Sequence, residues 1–335
     1  MNIKETLFKL SETAGASGNE KNVSEKALEM LKKYCPDAEI KNGNVIGHLG
    51  VKNDRPSLVL DAHIDQIGMI VTYITEDGFI KVGNLGGIDR RLLPAQPVII
   101  HGKKDVKGVI CSVPPHLSDS GEVPSFNDIA IDTGFKKSQL EKIVTLGDTI
   151  TFDVKCRQLL NNRVTGGAFD DRSGMTAILY ALELLTGQEL PYNVTVIFSA
   201  QEELGERGAK IGAFEINADI ALAVDVSFAH AVGEDEMKCG KLGKGAMIGI
   251  SPSLSRRISD GLIDTARKNN IPYQIEVMNG LTSTNADQYS VSRTGAETCT
   301  ISIPLRNMHT PVEVIDLDDI RFTGELIAQF IMHNS

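Results

Sequence analysis

Three short apolar runs in this chain each break off at an acid or a histidine. Ser57-Leu58-Val59-Leu60-Asp61 leads to His63 and Asp65. Asn193-Val194-Thr195-Val196-Ile197-Phe198 leads to Glu202 and Glu203, and Ile220-Ala221-Leu222-Ala223-Val224 leads to Asp225. Runs of this length without polar alternation read as buried strands of an α/β sheet. Segments of helical spacing accompany them. These are Glu20 to Cys35 (Val23, Ala27, Leu28, Leu31), Gly174 to Leu185, and Asp316 to Met332, which opens with acids suited to a helix N-terminus.

From about Ile70 to Asp153 the pattern changes to short strands and turns punctuated by Gly and Pro, with almost no helical period. A β-rich block between two α/β halves predicts an inserted domain. The halves, residues 1–69 and 160–335, must then meet in space around an insertion of residues 70–159.

The polar residues at the strand ends are those of a metal centre. His63 and Asp65 share one face of an extended segment. An imidazole can bind a cation through one nitrogen while a carboxylate orients the other, the role read for Asp65. Asp170, in Phe169-Asp170-Asp171-Arg172, is read as a carboxylate bridging two cations. Asp171 is suited to cap the following helix, and Arg172 to pair locally. Glu202 and Glu203 diverge in direction, so Glu203 is assigned to a cation and Glu202 to proton transfer. Asp225 ends a buried run, where an unpaired acid is costly. His309 follows the apolar stretch Thr300-Ile301-Ser302-Ile303. His63 with Glu203 or Asp225, and His309 on the opposite ion, would divide the donors around a shared Asp170. Imidazoles with carboxylates and no thiolate suit Zn²⁺, Co²⁺ or Mn²⁺. Of the remaining histidines only His116, after Pro114-Pro115, is a candidate for reaching a neighbouring site in an assembly.

A net charge of -10 argues against nucleic-acid and anionic-membrane partners. The N-terminus lacks a signal-peptide pattern, and no run of 18 apolar residues is present, so no membrane span is expected. Five scattered cysteines without a CxxC pair suit a reducing compartment, the cytoplasm.

Together these residues resemble the glutamyl aminopeptidase and tetrahedral (TET) aminopeptidase family of co-catalytic metallopeptidases. The matching stretches are Ala62 to Gly68, Phe169 to Gly174, Gln201 to Gly205, and Arg306-Asn307-Met308-His309-Thr310-Pro311-Val312-Glu313. The resemblance implies a mixed-sheet α/β peptidase domain with an inserted, barrel-like dimerisation domain. It implies two cations held by His63, Asp170, Glu203, Asp225 and His309, with Glu202 as base and Asp65 orienting His63. It also implies short peptide substrates and dimers that build a tetrahedral dodecamer. Two stretches depart from the family pattern: Thr282 to Asp287, where a Gly-Thr-Asp-Ala-like run is common, and Phe228 to Lys241. The expected activity is aminopeptidase. The alternatives are a glycoside hydrolase or a deacylase on the same scaffold, or a non-catalytic assembly protein.

Overall fold

The computed structural model describes residues 1–50, 54–117 and 123–333. Helices α1 (Ile3–Ser11) and α2 (Lys21–Leu31) precede strands β1 (Glu39–Lys41), β2 (Asn44–Leu49) and β3 (Ser57–His63). Next come β4 (Gly68–Ile74), β5 (Ile80–Leu85), β6 (Pro97–His101), β7 (Asp105–Ile110), β8 (Ala130–Asp132), the short helix α3 (Lys137–Leu140) and β9 (Thr149–Phe152). The chain continues through β10 (Arg157–Gln158), β11 (Arg163–Gly166), α4 (Phe169–Leu185), β12 (Asn193–Ser199), α5 (Arg207–Ile216) and β13 (Ile220–Phe228). It ends with β14 (Ala246–Ile250), α6 (Arg256–Lys268), β15 (Tyr273–Val277), α7 (Ala286–Val291), β16 (Glu297–Arg306), β17 (Glu313–Asp316) and α8 (Leu317–His333).

The three apolar runs become the centre of a mixed sheet. Strands β12, β3, β13 and β16 are parallel neighbours in that order. Antiparallel β2 and β1 flank one side, and β17, β11 and β10 the other; β14 pairs with β16 and carries β15 at its edge. Both faces of the parallel core are covered, which is why its strands lack polar alternation. Leu58, Leu60, Val196, Phe198, Leu222 and Val224 pack with Ile178 and Leu182 of α4 and Leu326 and Phe330 of α8. On the opposite face Val59, Ile197 and Ala221 meet Ala209 and Ala213 of α5 and Tyr289 of α7. Each fully buried aliphatic side chain contributes roughly 1.5–3 kcal/mol.

The stretch read as β-rich closes into a separate barrel in the order β4-β5-β8-β7-β6-β9. Its own core includes Met69, Val71, Val82, Val98, Ile100, Ile131 and Ile150. Closure pairs Met69 with Ile150 and leaves no free edge in the ring.

Three local expectations are revised. Asp225 lies within β13 rather than after it. Pairing with β3 stops at Ala223, but β16 keeps pairing to Phe228 and extends the strand. Helix α4 starts at Phe169, with Asp170 and Asp171 non-helical and joined by a cis peptide bond. Arg172 is fully buried, and its Nη1 donates to the Leu10 carbonyl at 3.0 Å, because α1 packs over α4. Among the described residues no helix is long and apolar enough to cross a membrane.

Candidate active site

The parallel strands deliver their polar termini to one edge of the sheet, where α/β proteins place their sites. His63 is the last residue of β3, Asp225 lies on the neighbouring β13, and Glu202 and Glu203 follow β12. Asp170 comes from the kinked start of α4 and His309 from the turn between β16 and β17. Asp170 lies between the two imidazoles: its Oδ1 is 3.0 Å from His63 Nε2, and its Oδ2 is 3.2 Å from His309 Nε2. His309 Nε2 is also 3.4 Å from Glu203 Oε1. Donor atoms of His63, Asp170 and Glu203 all lie within 4.8 Å of one another, as do those of His63, Asp171 and Asp225. Glu203 thus reaches both His309 and the His63 group, while Asp225 groups with His63. Two imidazoles among buried carboxylates form a donor set that fits divalent cations.

Three further carboxylates hold the backbone that carries these groups. Asp65 accepts from the Glu202 and Glu203 N–H groups at 2.9 and 3.1 Å. His63 Nδ1 lies 3.1 Å from the Asp65 backbone carbonyl and 3.5 Å from its carboxylate, so the carbonyl makes the closer contact. Asp171 does cap the helix, accepting from Gly174 N–H at 3.0 Å, and its other oxygen accepts from His63 N–H at 3.2 Å. Glu313 is fully buried; it accepts from Phe169 and Asp170 N–H at 2.6 and 3.4 Å and from His309 N–H at 3.3 Å. It ties the Asp170 and His309 segments to one anchor. Glu313→Gln turns one acceptor oxygen into a donor facing these N–H groups. Cation affinity should fall roughly 10- to 100-fold, as for other groups that orient ligands. Competition with a chromogenic chelator reads this, and unchanged affinity would contradict the anchoring.

Burial opposes charge throughout the cluster, and the partners decide the outcome. Burial works against a charged His63, but hydrogen bonds to Asp170 and Asp65 hold its pKa well above the ordinary value. His309 is pushed up to about 11, against burial, by Asp170 and Glu203. Asp170 is lowered despite burial by hydrogen bonds from His309 and His63. Burial raises Glu202 to about 9; His63 opposes this, and the charges of Asp225, Glu203 and Asp170 add to it. Asp225 rises to about 7, mainly through burial.

Some contributors were not singled out from sequence. The barrel reaches the site through the loop after β5. A Cβ on Gly86, at φ +76, would lie 2.7 Å from Glu203 Oε2, and one on Gly87 would lie 2.9 Å from His309 Nδ1. The adjacent glycines following a strand were the available signal. The segment Thr282 to Asp287 turns its Asn285 inward: Nδ2 donates to Asp61 Oδ1 at 3.0 Å and to Ser199 Oγ at 2.7 Å. Tyr289 completes that buried network with a 2.7 Å bond to Asp61 Oδ2. His116 is exposed in the short turn Pro115–Leu117.

Fold and donor set fit a metal-dependent hydrolase. The family model described as M42 glutamyl aminopeptidase matches residues 43–326, and the chain belongs to that family. A lysyl aminopeptidase of Pyrococcus furiosus is 31% identical over 334 residues, covering 96% of this chain and 94% of that one. The solved aminopeptidase of the archaeon Desulfurococcus kamchatkensis superposes with a TM-score of 0.94 at 33% identity, covering 99% of this chain and 95% of that one. The TET1 peptidase of Pyrococcus horikoshii, described as able to assemble into a tetrahedron or a large octahedral shell, matches with a TM-score of 0.88 at 31% identity. The match covers 99% of this chain and 100% of that one.

Proposed function

We propose that this protein is a cytoplasmic aminopeptidase that removes N-terminal residues from short peptides, using two divalent cations and Glu202 as general base. Asp170 carries the reading, since its two oxygens face two different imidazoles at 3.0 and 3.2 Å. His63 and Asp225 would hold one cation, His309 and Glu203 the other, with Asp170 shared. Zn²⁺ or Co²⁺ suits this donor set best, and Mn²⁺ is a further candidate. When bound, such ions polarise the peptide carbonyl and lower the pKa of water. Glu202 belongs to neither donor group and stands beside them, its backbone held by Asp65. It accepts a proton from the attacking water and returns it to the departing amine. Asp65 also bears on His63 Nδ1 and so orients the imidazole.

Residues 1–69 and 160–335 would form the peptidase domain, and 70–159 the dimerisation domain. Exposed Val109, Val113 and Leu117 in the barrel region support a role in self-association. A tetrahedral dodecamer of such dimers is proposed by likeness to TET1 structures described as a dodecamer and as a tetrahedron. Free cysteines without a disulfide support a cytoplasmic setting.

The glycosidase reading is disfavoured, because adjacent Glu202 and Glu203 do not flank a bond and the imidazoles would have no task. A deacylase would share the chemistry, and a non-catalytic assembly protein would need none of these residues. Chelation should abolish hydrolysis of aminoacyl anilides, Zn²⁺ or Co²⁺ should restore it, and glycosides should remain intact in both states. Both imidazoles are held protonated near neutrality in the cation-free protein, so each must shed a proton on loading. Cation affinity should accordingly rise with pH through neutrality. Peptide hydrolysis that survives exhaustive chelation would overturn the proposal.

A further inference from the structure

Beyond Asp225 the same face of the sheet carries a second acid that the mechanism leaves unused. Ser227 follows Asp225 by two residues on β13, so both point to one side of the sheet. Ser302 on β16 is the register partner of Asp225 and shares that side. Both hydroxyls donate to Glu276 of the edge strand β15: Ser302 Oγ to Oε2 at 2.7 Å, and Ser227 Oγ to Oε1. Glu276 lines a cavity of about 660 Å³ whose walls include Phe228, Met237, Met247, Met278 and Leu281. Lys238 also lines it but is exposed, and among the described residues no lysine or arginine forms an ion pair with Glu276. The two serines orient the carboxylate and bring no positive charge to it.

We infer that this cavity receives the side chain of the substrate's N-terminal residue, and that Glu276 selects a lysine or arginine there. The inference rests on the aminopeptidase reading and names its substrate class. Two residues of strand span roughly 6–7 Å, comparable to the four-carbon stem of lysine. A scissile bond held beside Asp225 therefore places that stem along the methionines and its ammonium at Glu276. Thioether and aromatic walls suit a flexible alkyl chain. The α-ammonium of the substrate needs no such apolar volume, so an acid among these walls points to a long cationic side chain. Met237, Lys238 and Cys239 of the Phe228 to Lys241 stretch supply part of the cavity wall, and Leu281 another part.

The test uses the metal-loaded full chain and three anilides: lysine, norleucine (the same stem without charge) and glutamate. The parent enzyme should show higher kcat/KM for lysine than for norleucine, and least for glutamate. Glu276→Gln should lower the lysine-to-norleucine ratio roughly 10- to 100-fold, the worth of a charge-assisted hydrogen bond. Glu276→Ala should lower the same ratio, and the ratios in the parent stand even if a variant fails to fold. A parent preference for norleucine or glutamate would overturn the inference. So would an unchanged ratio in Glu276→Gln, or a parallel fall for lysine and norleucine, which would place the α-ammonium at Glu276. Loss of all anilide hydrolysis in the loaded parent would instead overturn the aminopeptidase reading.

Discussion

Glu202→Gln should retain its bound cations while losing roughly 10²- to 10⁴-fold in kcat, the usual worth of a positioned general base. The substitution preserves shape, and the backbone N–H that Asp65 holds at 2.9 Å is untouched. What disappears is a proton acceptor. Burial and neighbouring acids push Glu202 up to about 9 in the cation-free protein. Two bound cations would bring that value down towards neutrality, where an acid–base group works best. Cation content by atomic emission spectrometry, with kcat on an aminoacyl anilide, checks both halves. Turnover within a few-fold of the parent would remove Glu202 from the role. Lost cations would instead make it a ligand.

Asp170→Ala should be still more damaging, because it removes the carboxylate whose two oxygens contact His63 and His309. Neither cation position should fill at the concentration that saturates the parent, and anilide hydrolysis should fall to background. Without cations, the variant also leaves buried His63, and to a lesser degree the partly exposed His309, short of a counter-charge. Breaking a buried pair in this way typically costs about 3–5 kcal/mol, which would be read as a lower urea midpoint for the cation-free protein. Asp225→Ala provides the contrast: it faces His63 and should weaken one position more than the other. Two cations bound to Asp170→Ala with parental affinity would end the bridging assignment.

The Glu313 anchor shows where reading one residue at a time falls short. It lies inside the stretch Arg306 to Glu313 that was singled out for His309, yet no local pattern reveals its task. Its partners are the backbone N–H groups of Phe169 and Asp170, more than 140 positions away, and that of His309. Asp171 was legible as a helix cap because capping is local; its bond to His63 N–H spans 108 positions and was not. Asp65 was legible as a partner of His63, two residues away, but its grip on Glu202 and Glu203 was not.

Hydrophobic periodicity alone determined that this chain has an α/β core interrupted by a β-rich block. An apolar run dictates a buried strand wherever the rest of the chain goes, and the polar residues ending such runs marked the candidate site. Tertiary structure alone decided which acids cluster with which imidazole, that the barrel's Gly86-Gly87 loop walls the cluster, and that Glu276 of β15 accepts from Ser227 of β13 and Ser302 of β16. Those outcomes depend on strand order and on which segments cross at the sheet edge. Contacts between distant segments are set by packing of the whole domain and leave no periodic trace in the residues that make them.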